Sequence, residues 1–83
     1  MQTAYVDKYE EELRIAKEKA ERITGPMEIC VPYLRYVGAD KIGESITHYY
    51  FAASTGTYYY ESEFAKQIRI GKRQRRLQSY AKK

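Results

Sequence analysis

One cysteine and one histidine stand among the 83 residues, tryptophan is absent and proline occurs only twice. A lone thiol cannot close an internal disulfide, which excludes the stapled class of small secreted domain. One histidine, one cysteine and scattered carboxylates are too few for a zinc site, so no metal is expected. No P-loop, dinucleotide fingerprint or zinc spacing occurs. Gly38 and Gly43 flank a loop, but no Lys-Ser/Thr follows them as a phosphate loop would require. No run approaches the roughly 20 apolar residues of a membrane span. Asp7, Lys8 and Glu10 interrupt any signal-peptide pattern. These absences lead to the expectation of a cytoplasmic, non-enzymatic protein with no cofactor, no metal and no membrane partner.

What is present is enough for one domain. Hydrophobic residues make up 43% and charged residues 31%, too apolar a balance for a disordered chain. The charge is unevenly placed. Residues 1–65 hold seven Lys/Arg against eleven Asp/Glu, and residues 66–83 hold eight Lys/Arg and no acid. A body of negative balance with a basic end is the pattern of an arm that seeks a polyanion.

The pattern predicts an α+β fold. Val6, Tyr9, Leu13, Ala16, Ala20 and Ile23 form one stripe at helical spacing, so a helix is expected over 3–24, stopped by Gly25 and Pro26. Residues 27–37 read as a strand, an edge or bulged one because Pro32 has no N–H for a ladder. Residues 38–44 read as a loop. Residues 45–54 and 57–64 read as a hairpin around Thr55-Gly56. A two-residue turn would set Phe51 opposite Tyr60 and Tyr50 opposite Glu61, with the Phe51 face under the helix. The result is an N-terminal amphipathic helix on an antiparallel sheet of about three strands. A basic C-terminal helix follows. Gly71 divides a compact unit, 1–71, from a basic segment, 72–83, that is helical or partly disordered.

The candidate site lies at that basic end. Arg69, Lys72, Arg73, Arg75, Arg76, Lys82 and Lys83 are seven cations in fifteen residues. Released counterions favour their binding to phosphates, and the planar guanidinium forks onto two oxygens at once. Tyr80, four residues beyond Arg76, could stack on a base. Ten tyrosines are the second feature, five of them at 49, 50, 58, 59 and 60. Strand alternation sends Tyr50 and Tyr59 to the face away from Phe51, where they are expected as an exposed contact surface. His48 is read as a half-exposed strand histidine with Glu63 as cross-strand neighbour, and Cys30 as a small buried hydrophobe.

The order helix, strand, hairpin, basic helix resembles that of double-stranded-RNA-binding domains, in order alone, and element order does not fix function. The expected function, read from the charge, is phosphate binding by the basic end, with stacking from sheet tyrosines. The alternative is an accessory or inhibitor protein acting on a nucleic-acid-processing partner. In size and composition such a chain is similar to phage-encoded inhibitors of host nucleases. It would use the acidic helix and the Tyr50–Tyr59 face. Homodimerisation through the sheet is compatible with either reading.

Overall fold

The computed structural model describes the backbone of residues 4–81 and the side chains of residues 10–75. Helix α1 (Ala4–Lys19) leads into a two-residue strand, β1 (Glu21–Arg22). Two 3-10 turns (Gly25–Ile29 and Val31–Tyr33) follow. Strands β2 (Arg35–Ile42), β3 (Ser45–Ala52) and β4 (Thr57–Ser62) precede helix α2 (Glu63–Ala81). The fold is thus α+β, with a mixed four-stranded sheet in the order β1-β4-β3-β2.

The hairpin faces follow the alternation of the sequence. Tyr49 opposes Tyr60 and Phe51 opposes Tyr58 on one face; Tyr50 opposes Tyr59 and His48 opposes Glu61 on the other. The expected register is displaced by two residues. The turn spans Ala53–Gly56, and both Thr55 N–H (3.2 Å) and Gly56 N–H (2.7 Å) donate to the Ala52 carbonyl. A shift of two preserves the strand period, so the residues of β3 and β4 keep their expected faces, while Ala53 and Ser54 fall in the turn and Glu63 and Phe64 in α2.

Helix α1 covers the Phe51 face, as its amphipathic pattern predicts. Ala16 is fully buried, and the Leu13 methyls lie 3.7 Å from the point where a Cβ on Gly38 would sit. Gly38 has φ +155° at a bulge that skips Val37, a backbone conformation that side chains rarely tolerate. The edges of this layer are polar. Arg35 forks onto Glu12, Tyr58 donates to Glu12 at 3.2 Å, and Lys17 stands 3.5 Å from Asp40. The Arg35 guanidinium also rests 5.2 Å above the Phe51 ring, a cation–π contact.

Three sequence expectations are corrected. The helix ends at Lys19, not at Gly25, because the outer edge of β4 captures the following backbone. Glu21 and Arg22 pair in parallel with Tyr59 and Tyr60, and Ile23 N–H donates to the Tyr60 carbonyl at 3.0 Å. An edge that would have been left unpaired is thereby covered.

The segment 27–37 is mostly not a strand. Pro26 and Pro32 each open a 3-10 turn, where a fixed φ and a missing N–H cost nothing. The bonds from Met27 to Thr24, Cys30 to Met27, Tyr33 to Cys30 and Leu34 to Val31 all step by three. This spacing turns Met27, Val31 and Leu34 onto Tyr50, Tyr59 and Ile23, which together form the core. It leaves Cys30 exposed, contrary to its expected burial.

The expected loop 38–44 is largely strand, closed by the two-residue turn Gly43-Glu44. Gly43 has φ +61° and Glu44 a negative φ, the sign pattern of a II′ hairpin turn.

Candidate nucleic-acid interface

The basic end is built on a fixed helix. Ser62 caps α2, its Oγ accepting from Ala65 N–H at 3.0 Å. The helix then runs to Ala81 and passes through Gly71 without the expected break. Gly in a helix costs only about 1 kcal/mol, which the anchored first turns offset.

Two polar anchors tie those turns to the Tyr50 face of the sheet. In the first, β4 places the Glu61 carboxylate beneath the helix. Tyr50 Oη donates to Glu61 Oε2 at 2.7 Å, and Arg69 donates from Nε at 3.1 Å and Nη2 at 2.7 Å. The Glu61 side chain is 3% exposed and that of Arg69 is 13% exposed. The carboxylate's hydrogen bonds hold the Arg69 guanidinium above its ordinary pKa. Burial first, then the bond to Glu61, push the Tyr50 phenol well above the usual tyrosine range.

In the second anchor, His48 Nε2 stands 2.6 Å from Glu63 Oε1, and Tyr36 Oη stands 2.9 Å from His48 Nδ1. When Nε2 carries the hydrogen donated to Glu63 and Nδ1 carries none, Nδ1 accepts from the Tyr36 hydroxyl. Gln67 adds a second donor to Glu63 at 2.7 Å. The His48–Glu63 pair expected across the hairpin thus exists, but Glu63 reaches it from the start of α2, and His48 is buried, not half-exposed.

The hydrogen bond from His48 holds the Glu63 carboxyl below the usual carboxylate range, with Gln67 the next contributor. A depressed native pKa means that the unfolded chain binds more protons between the native value and the ordinary one of about 4.3. Stability therefore rises with pH across that window and is lost as pH falls through the native value. Thermal melts between pH 3 and 6 should show Glu63→Gln with a flatter acid limb than the wild type. An identical pH slope in both would count against this anchor.

Beyond the anchors α2 stands clear of the body: Lys72, Arg73, Gln74 and Arg75 are all exposed. The radius of gyration, 15.1 Å against about 12 Å for a compact chain of this length, fits an elongated shape. Where the helix leaves, it forms one wall of a cleft of about 310 Å³ with the 3-10 segment. Arg69, Lys72 and Arg73 line the helix side; Gly25, Glu28, Ile29, Pro32 and Tyr33 line the other. Tyr33 is 84% exposed and Ile29 is also exposed.

The predicted site residues therefore separate. Arg69 is an internal strut, not a free cation, since Glu61 occupies its fork. Lys72 stands 3.7 Å from Glu28 and stays half-exposed. Arg73 and Arg75 are exposed, and among the described residues neither has an ion-pair partner. The Arg76 and Tyr80 side chains, with Lys82 and Lys83, lie outside the described residues.

Tyr50 and Tyr59, expected as an outward surface, face the core formed with Ile23 and Val31. The sheet face that carries them is covered by the 3-10 turns and α2. Tyr33, which is not among the expected site residues, lines this cleft from the turn that Pro32 opens. Among the described residues no group of three His, Cys, Asp or Glu could hold a metal ion, and no helix is long and apolar enough to cross a membrane.

Comparison with protein-family models, with curated proteins and with solved structures finds no match to this chain.

Proposed function

We propose that this protein is a non-enzymatic binding module that engages nucleic-acid phosphates through α2. The observation that carries this reading is the state of the charges. The described carboxylates of the body are largely engaged: Glu11 and Glu18 with Arg14, Glu12 with Arg35, Asp40 with Lys17, Glu61 with Arg69. Arg73 and Arg75 stand unpaired on a projecting helix that has no acid after Glu63. Unpaired guanidinium groups on a convex rod reach phosphates without steric conflict and fork onto their oxygens. Stacking by the sheet tyrosines is not part of this reading, since Tyr50 is buried and Tyr59 packs against the core.

The alternative, an inhibitor acting through the Tyr50–Tyr59 face and the acidic helix, gains no support from this geometry. Its aromatic surface is covered, and much of its acidic surface is already ion-paired.

The test is fluorescence anisotropy with labelled single-stranded and duplex 16-mers at 0.15 M salt. Sub-micromolar binding that Arg73→Ala with Arg75→Ala weakens at least tenfold is the expected result. Affinity unchanged in that double variant would sink the reading.

A further inference from the structure

We propose that the cleft between α2 and the 3-10 segment holds one unpaired nucleotide, its base against Tyr33 and its phosphate on Lys72 and Arg73. The inference rests on the phosphate-binding reading and narrows its ligand to single strands.

Four observations converge on it. The first is size. A cleft of about 310 Å³ is at the lower end of small-ligand sites, which run about 300–1,000 Å³. It is large enough for a single nucleotide. A duplex, whose bases are stacked and covered, would meet only its rim.

The second is the pairing of chemistries across the cleft. Tyr33 and Ile29 offer an aromatic and an aliphatic surface on one wall; Lys72 and Arg73 offer cations on the other. A nucleotide carries an apolar base face and an anionic phosphate on one small unit. Stacking platforms beside basic grooves are how single strands are held without sequence readout.

The third is preorganisation. Tyr33 is 84% exposed yet sits on a hydrogen-bonded 3-10 turn opened by Pro32, and its own N–H donates to the Cys30 carbonyl at 2.9 Å. Val31, two residues before it, is buried in the core. The ring is therefore presented to solvent by a backbone that has little freedom left to lose on binding.

The fourth is Glu28, which lines the same cleft 3.7 Å from Lys72. A carboxylate there would repel a purely anionic occupant such as an acidic peptide. It accepts hydrogen bonds from the amino-bearing edge of a base, as carboxylates do from cytosine N4. Glu28 meets Lys72 across the cleft, so the base edge takes the carboxylate on the 3-10 wall and the phosphate is held chiefly by Arg73, whose guanidinium has no ion-pair partner among the described residues.

The experiment is anisotropy of the full chain with a labelled single-stranded 12-mer of deoxycytidine and with a 12-base-pair duplex, at 0.1 M salt. The probes are read against wild type, Tyr33→Ala, Tyr33→Phe and the Arg73→Ala, Arg75→Ala double variant. Tyr33→Ala should weaken single-strand binding about 5- to 150-fold, the range of one base–aromatic stack, with duplex binding changed less than twofold. Tyr33→Phe should restore the single-strand affinity, since it keeps the ring. Circular dichroism should show the wild-type fold in both variants, because the ring they alter is outside the core.

Equal single-strand binding by Tyr33→Ala and wild type would overturn the proposal. If the double arginine variant still lost affinity, the phosphate reading would survive that result. Equal losses on strand and duplex would also overturn it, by making Tyr33 a general contact. Absence of binding to both probes by wild type would overturn both readings.

Discussion

Arg69→Ala should lower the unfolding free energy by about 3–5 kcal/mol, the usual cost of stranding one charge of a buried pair. The carboxylate left behind is that of Glu61, whose side chain is 3% exposed, and the Tyr50 hydroxyl would be its remaining donor. Little solvent screening reduces this figure, because the Arg69 side chain is itself 13% exposed. The loss is large against the total, since a chain of this length has roughly 4–12 kcal/mol of stability in all. Urea denaturation followed by circular dichroism measures it. Arg69→Lys should recover only part, because an ammonium cannot reproduce the two-pronged contact from Nε and Nη2. Replacing both partners, Glu61→Leu with Arg69→Met, should cost much less than Arg69→Ala alone, since no buried charge then remains. A loss below about 1 kcal/mol for Arg69→Ala would mean that water reaches Glu61 and that the pair is not an anchor.

The same pair shows what sequence reading could and could not reach. That residues 66–83 are basic is visible in composition, because counting charges needs no geometry. Which cations are available is not visible. Arg69 meets Glu61 across the junction of β4 and α2, so the two lie in different elements and no single period links them. The hairpin faces were legible despite a register displaced by two, because strand alternation has period two and an even shift leaves it unchanged. Tyr50 was therefore placed on the correct face and given the wrong environment. A second covering layer, made by the turns over Gly25–Tyr33 and by α2, lies outside any local pattern.

The turns resemble a strand in sequence because Ile29, Val31 and Tyr33 fall at every second position. Met27, Val31 and Leu34, spaced four and three apart, carried the helical alternative, and two prolines favoured it. The end of α1 was illegible for a different reason. Ala20–Ile23 continue the helical stripe, yet the unpaired edge of β4 offers their backbone a better partner than another helical turn. Tertiary pairing overrides propensity there.

Arg73→Ala with Arg75→Ala should remove most of the electrostatic binding and mark its loss in the salt dependence. For single strands, each neutralised phosphate contributes about −0.7 to the slope of log K against log salt. A wild-type site of about four phosphate contacts would lose roughly 50-fold in affinity between 50 and 200 mM salt. With two contacts gone, the slope should fall by about 1.4 and the loss over the same range to roughly sevenfold. Stability should stay within about 0.5 kcal/mol, because both side chains are exposed and, among the described residues, unpaired. The comparison with Tyr33→Ala then separates charge from stacking. Counterion release vanishes on extrapolation to 1 M salt, so the affinity remaining there reports contacts that do not depend on charge. Removing the arginines should change the slope and leave most of that remainder. Removing the Tyr33 ring should lower the remainder and leave the slope unchanged. A slope that falls in Tyr33→Ala, or stays constant without the two arginines, would mean that the division of labour between helix and turn is not the one derived from their geometry.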